Sequence, residues 1–152
     1  MTVQRGEEAP DFTLPDQGGN PVRLSSFRGK TVVLYFYPKA DTPGCIAQAC
    51  GVRDHRLDYE RADTIVLGVS PDPVKRIAAF DRKYGLGFPL LADEDHAVAE
   101  AYGVWVQKSM YGRKYMGIER STFVIDPDGR VEHVLRKVKP GEHDDLVLAA
   151  LS

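Results

Sequence analysis

The sequence predicts an α/β protein: a central mixed β-sheet with helices on both faces, opened by an N-terminal β-hairpin. Three observations predict it. Two short continuous apolar runs, Thr31 to Phe36 and Thr64 to Ser70, read as buried strands. Each is followed by a helical stretch, the alternation expected of a layered α/β domain. Late in the chain the pattern changes. There Ser121 to Ile125 and Val131 to Leu135 flank Asp126-Pro127-Asp128-Gly129, a hairpin turn that adds further strands to the sheet.

The elements follow in order. Residues 1–10 read as a loose lead-in ending at Pro10. Phe12 to Leu14 and Val22 to Leu24 flank the turn-rich Pro15 to Pro21 and predict the first hairpin. Ser25 to Lys30 leads into the central strand. A helix is expected from Pro43 to about Arg61, with Ile46, Cys50, Arg53 and Leu57 on a shared side because they recur at spacings of four, three and four. After the second strand, Pro71-Asp72-Pro73 opens a helix with Val74, Ile77, Ala78, Phe80 and Tyr84 periodic and Gly85 as its stop. Phe88 to Asp93 reads as a short strand, and His96 to Tyr102 as a short helix ending at Gly103. Gln107 to Gly117 is polar with two glycines and reads as an exposed loop. Its Tyr111, Tyr115 and Met116 offer a partner surface as one reading, with packing on the domain itself as the expectation. Glu142 to Leu151 closes the chain as a helix.

The 152 residues fit one domain, 1–152, with a sizeable core. Hydrophobic residues make up 43% and charged residues 28%, an ordinary globular mix. A net charge of −2 gives no electrostatic case for nucleic acid or an anionic membrane. The start has no apolar core of a signal peptide, and no apolar run approaches the roughly 20 residues of a membrane span. The expectation is a cytoplasmic protein. In that setting its two cysteines suggest redox chemistry, metal binding or plain burial. The four histidines are scattered and there is no Cys-x-x-Cys, so no metal site is expected. Gly85-Leu86-Gly87 follows a helix rather than opening one, so it is no dinucleotide fingerprint.

Both cysteines lie in one stretch, Tyr37 to Cys50, directly after the central strand. Thr42 suits an N-cap, Pro43 the first helical position, and Cys45 then falls at the third. A thiol there sits near unpaired backbone N–H groups and the positive end of the helix dipole. Free thiols titrate at about 8.5, and such settings lower that to roughly 3.5–7.5. On position alone, a reactive and an inert buried Cys45 are both open. Cys50, sharing a side with Ile46 and Leu57, reads as core. Thr42 reads as a cap, Pro38 as a loop proline, and Arg120 as a solvated charge at the start of a strand.

Pro38, Thr42 and Cys45 fit the pattern Pro-x-x-x-Thr-x-x-Cys, and a second cysteine follows five positions on. With the run Tyr111 to Asp126, which includes Gly117-Ile118-Glu119-Arg120-Ser121-Thr122, the chain resembles the peroxiredoxins, in particular the bacterioferritin-comigratory or peroxiredoxin Q branch. The resemblance extends from about Gly6 to the C-terminal helix. It implies a thioredoxin-like fold and reduction of hydrogen peroxide and organic hydroperoxides. It implies Cys45 as the peroxidatic cysteine and Cys50 as the resolving one. Pro38 then shields the pocket, Thr42 binds peroxide oxygen, and Arg120 supports the thiolate. An intramolecular disulfide would be recycled by thioredoxin or a similar dithiol, with no cofactor, in a protein expected to be monomeric. One departure is Gln48, where the branch usually carries Glu. A general thiol–disulfide oxidoreductase is the first alternative, although it normally carries Cys-x-x-Cys. A non-catalytic binding module with structural thiols is the second.

A continuous helix cannot hold the implied bond. Five residues along an ideal helix separate the Cα atoms by roughly 8.6 Å, against the 4.4–6.8 Å usual for a disulfide. The expectation is therefore that the helix unwinds on oxidation, with Gly51 as its weak point.

Overall fold

The computed structural model describes residues 3–151. Strand β3 (Thr31–Phe36) lies at the centre of a five-stranded sheet. It pairs in parallel with β4 (Thr64–Ser70), which pairs in parallel with β5 (Leu90–Ala92). On its other side it pairs antiparallel with β8 (Ser121–Ile125), which pairs antiparallel with the edge strand β9 (Val131–Leu135). The sheet is thus mixed, in the order β5-β4-β3-β8-β9. An N-terminal hairpin of β1 (Thr13–Pro15) and β2 (Pro21–Arg23) stands beside it.

The apolar run of β3 is continuous because both of its faces are buried. Val32, Leu34 and Phe36 enter one core with Leu67, Tyr102 and Phe123, and α4 (Ala97–Ala101) covers that side. Val33 and Tyr35 enter the other core with Cys45, Val52, Phe80 and Val147. That second core is roofed by α1 (Pro43–Asp54), α2 (Arg56–Arg61), α3 (Val74–Tyr84) and α5 (His143–Leu151). Gly85 ends α3 in the left-handed conformation at φ 57°, which a glycine adopts without steric cost.

The structure corrects four expectations. The lead-in is not loose over residues 3–10; Met1 and Thr2 lie outside the described residues. Val3 and Ala9 are buried, and the backbone pairs with the start of β9, with Gly6 N donating to Val131 O at 2.7 Å and Val131 N to Glu7 O at 2.8 Å. An edge strand leaves unpaired backbone groups, and this segment takes up those of Val131 at the start of β9. The helix from Pro43 does not run unbroken to Arg61. It breaks at His55, whose ring nitrogen Nδ1 lies 2.9 Å from the Gly51 carbonyl that its own backbone N–H also uses.

The expected helical face is only half right: Ile46 and Cys50 are partly buried and pack against the core, but they flank the buried side rather than form it. The side turned to the core carries Cys45, Gln48, Ala49, Val52 and Tyr59, whereas Leu57 is 57% exposed. Small and polar residues fill the close contact with the sheet, so apolar spacing alone finds the flank of the buried side and not its centre. Finally, the expected loop is a two-stranded ribbon of β6 (Trp105–Met110) and β7 (Arg113–Ile118). Its turn residues Tyr111 and Gly112 have φ of 51° and 77°, the positive values of a tight type I′ hairpin. Tyr111, Tyr115 and Met116 do not pack on the domain; they are 99%, 42% and 50% exposed.

Gly51 is where α1 meets α5. A Cβ there would lie 2.1 Å from Asp144 Oδ2. That carboxylate is buried and held by the Tyr59 hydroxyl, which donates to Asp144 Oδ1 at 2.5 Å, so it cannot swing aside freely. The helix propensity gained by Gly51→Ala is about 1 kcal/mol. The overpacking costs roughly 1–3 kcal/mol. The variant is expected to be less stable than wild type by urea denaturation.

Candidate active site

The site is built where β3 ends and α1 begins. Tyr37 extends the ladder, its N–H donating to Val69 O at 3.0 Å, and Pro38 follows, half-buried. The loop is then tied down from two sides. Ala40 N donates to Asp72 Oδ2 at 2.7 Å, and Ser70 Oγ donates to the same oxygen at 2.9 Å. Asp41, at φ 63°, accepts from Lys83 Nζ and from the Tyr84 hydroxyl, both at 3.0 Å. These bonds fix the entry angle of α1. Pro43 occupies its first position and Thr42 stands at the N-cap. The Thr42 side chain does not cap the helix; its hydroxyl donates to Lys39 O at 2.8 Å.

Cys45 is 2% exposed, in the first turn of α1. Its Sγ accepts from Arg120 Nη2 at 3.3 Å. Arg120 lies between β7 and β8, and its Nη1 donates to Oε1 of the fully buried Gln48, one turn along α1 from Cys45. The guanidinium therefore spans the thiol and an amide. The neighbouring carboxylate, Glu119, is held bidentately by Arg136 at 2.8 and 2.9 Å. Among the described residues Arg120 makes no ion pair with a carboxylate. Gly44 leaves room for this arrangement: a Cβ there would lie 3.1 Å from Arg120 Nη2 and 3.2 Å from Pro140 Cγ. Cys50 is partly exposed further along α1, and both thiols are free.

Of the residues singled out by sequence, Arg120 and Cys45 are in direct contact. Thr42 sits at the start of the same helix and Pro38 at the mouth of the loop. Cys50 remains held in α1, apart from Cys45. Four residues of the site carry little or no signal in the sequence. Gln48 shows there only as a departure from the branch. Gly44, Asp72 and His143 carried no local signal, since each acts through a contact distant in sequence.

His143 lies beneath the site, its Nε2 2.9 Å from Thr122 Oγ1 and its ring 5.3 Å from that of Tyr35. Burial, with the Arg120 charge as the smaller cause, pushes its pKa down to about 4. In the unfolded chain it titrates near 6.5. Between about pH 6.5 and 4 the unfolded state therefore binds a proton that the folded state refuses. Stability should fall as pH drops through that window, by up to roughly 3 kcal/mol, with no further loss from this group below about pH 4. Urea midpoints of wild type and His143→Asn across this range check the sign, because the variant should lack this part of the slope.

A buried sulfur on a helix N-terminus, touched by a cation with no carboxylate of its own, is arranged for thiolate chemistry. The class this geometry defines is the thiol-based redox enzymes. The model of the AhpC/TSA family matches residues 5–134. The chain is 49% identical over 146 residues to peroxiredoxin Bcp of Escherichia coli strain K12, covering 96% of this chain and 94% of that one. To peroxiredoxin Bcp of Bacillus subtilis it is 47% identical over 143 residues, covering 94% and 91%. A solved structure of the Xanthomonas campestris bacterioferritin comigratory protein matches with a TM-score of 0.88 at 41% identity, over 92% of this chain and 89% of that one. A cysteine-to-serine mutant of Xylella fastidiosa PrxQ matches with a TM-score of 0.94 at 35% identity, over 99% and 96%. The chain belongs to the AhpC/TSA family and is a peroxiredoxin of the two-cysteine type, a thiol peroxidase with the thioredoxin-like fold. No helix of its described residues is long and apolar enough to cross a membrane.

Proposed function

We propose that Cys45 is the residue that attacks the peroxide and that Cys50 resolves the product as an intramolecular disulfide. The observation that carries this is the Arg120 guanidinium on the sulfur of Cys45, at 3.3 Å. The Cys45 thiolate attacks one oxygen of the hydroperoxide, and the O–O bond breaks. Arg120 and the N-terminal N–H groups of α1 stabilise the charge that develops on the leaving oxygen. That oxygen takes a proton and leaves as water or an alcohol, and Cys45 becomes a sulfenic acid. Pro38 shields the pocket, and Thr42 directs its hydroxyl to peroxide oxygen once substrate displaces its bond to Lys39.

Cys50 then attacks the sulfenic sulfur, releasing water and forming the disulfide. Both cysteines lie in the unbroken part of α1, so this step requires local unwinding of the helix. Thioredoxin or a similar dithiol protein returns the pair to thiols by exchange. Hydrogen peroxide and organic hydroperoxides are the substrates. The Xanthomonas neighbour is described by its alkyl peroxide reduction activity, which supports the second class. We place the enzyme in the cytoplasm as a monomer working without a cofactor. The neutral Gln48 leaves the charge of Arg120 to the sulfur rather than to a carboxylate.

Steady-state consumption of hydrogen peroxide and an alkyl hydroperoxide, with dithiothreitol and with thioredoxin as reductants, tests this reading. Cys50→Ser should still react once at wild-type speed. It should then stop at the sulfenic acid and pass to sulfinic acid in excess peroxide, as intact mass would record. A Cys50→Ser enzyme that still turned over with thioredoxin at the wild-type rate, without such oxidation, would remove Cys50 from the cycle.

A further inference from the structure

We propose that the β6–β7 ribbon is the docking face for the protein dithiol that reduces the Cys45–Cys50 disulfide, and that this reductant meets it with an acidic surface bearing apolar side chains. The inference rests on the cycle proposed above. The ribbon forms a sheet of its own, outside the five-stranded one. Its base is anchored: Ile118 is buried and Trp105 stacks on His96 at 3.9 Å. Beyond that base it stands out from the domain.

Its composition differs from that of the rest of the chain. Residues 105–118 carry Lys108, Arg113 and Lys114 and no acidic residue, in a protein of net charge −2. Among the described residues none of the three forms an ion pair. Met110 and Tyr111, 56% and 99% exposed, lie in the same segment as the exposed Tyr115 and Met116. Exposed apolar surface rimmed by charge marks an interaction site.

The register sorts these side chains. Lys108 lies opposite Tyr115, and Met110 opposite Arg113. Cross-strand partners and alternate residues share a face, so one face presents two pairs, each with a cation beside an apolar side chain. The ribbon adjoins the active site in the chain. Lys108 is half-buried; burial first, and then the Arg120 charge, hold its pKa below the usual lysine range, with Glu119 and Cys45 acting the other way. Strand β7 ends only two residues before Arg120.

Reach separates a macromolecule from a substrate. At about 3.4 Å per residue, Met110 lies roughly 17 Å along the strand from Trp105. A small hydroperoxide held at the sulfur does not extend to the tip. Unpaired cations at the tip call for an acidic partner, and a protein approaching the disulfide spans this distance. Once docked, the partner's thiolate attacks one sulfur and releases the other as a thiolate. The partner's second thiol resolves the mixed disulfide. The partner leaves oxidised, having supplied two electrons and two protons, and both cysteines are restored.

The test compares wild type, Met110→Ser/Arg113→Glu and Tyr111→Asn in peroxide turnover. One assay is driven by thioredoxin with its reductase and NADPH, the other by dithiothreitol. The double variant should raise the KM for thioredoxin about tenfold or more, because like charges then face each other. Tyr111→Asn, which keeps the turn conformation, should raise it less. The wild-type KM should increase with salt. Dithiothreitol-driven turnover should be unchanged in both variants. An unchanged thioredoxin KM, an equal loss with dithiothreitol, or no thioredoxin-driven turnover by wild type would overturn the assignment. So would a wild-type dimer in sedimentation that the double variant dissociates, since the face would then belong to a second copy. Failure of the cycle itself reads differently, as wild type inactive even with dithiothreitol.

Discussion

Cys45→Ser is expected to remove peroxide reduction altogether, by at least about 10⁴-fold, the scale on which a lost catalytic nucleophile registers. A serine hydroxyl at this position fits the same space and accepts the same hydrogen bond from Arg120 Nη2. It has almost no anionic form near neutral pH, and it cannot be carried to a sulfenic acid. The fold should be spared, because the exchange is close to isosteric at a position that is 2% exposed. The variant therefore separates chemistry from stability: an unchanged urea midpoint with no peroxide consumption is the expected pair of results. Retained turnover would mean that Cys50 or another group is the nucleophile.

The second large effect is expected at Arg120. Replacing it with methionine keeps the bulk of the side chain and removes the donor to Cys45 and the donor to Gln48. Loss of one preorganised donor to a developing charge commonly costs about 10²–10³ in rate. The peroxide step should slow by that order, read by stopped-flow under single-turnover conditions. Thioredoxin-driven reduction of preformed disulfide should change far less. Gln48 Oε1 would be left buried without its partner, so a modest loss of stability should accompany the kinetic one. If the peroxide step kept its speed, the guanidinium would be structural, aligning α1 against β8 rather than acting on oxygen.

Much of the frame was legible because it is written locally. β3 and β4 are unbroken apolar runs bounded by polar residues. Helix α3 has both its opening prolines and its left-handed Gly85 stop. The turn Asp126 to Gly129 announces the β8–β9 hairpin. The rest depends on partners far away in sequence. Asp72 holds Ala40 across 32 residues, and Asp144 bonds Tyr59 across 85. Neither pairing leaves a trace in periodicity.

The lead-in looked loose because its apolar content is sparse. What fixes it is backbone pairing with an edge strand, which composition does not report. The β6–β7 ribbon looked like a loop for a related reason. Outside its base it buries little, so its sequence never needed the apolar alternation by which strands are recognised. At the site, the helix start and its thiol could be read from Thr42-Pro43 and the position of Cys45. Arg120 could be found only through resemblance. Gln48 and Gly44 became intelligible once the guanidinium was placed between them. Gly51 reversed its meaning, from a weak point in a helix to the close approach of α5.

The most direct measurement is a single turnover of the fully reduced enzyme with one equivalent of hydrogen peroxide, followed by free-thiol counting and peptide mass spectrometry without reductant. The account predicts rapid loss of both free thiols. It predicts one linked species, in which the residues of α1 carry a Cys45–Cys50 bond and no added oxygen remains. Thiols that survive the peroxide, or a lasting oxidation of Cys50 with Cys45 untouched, would contradict it.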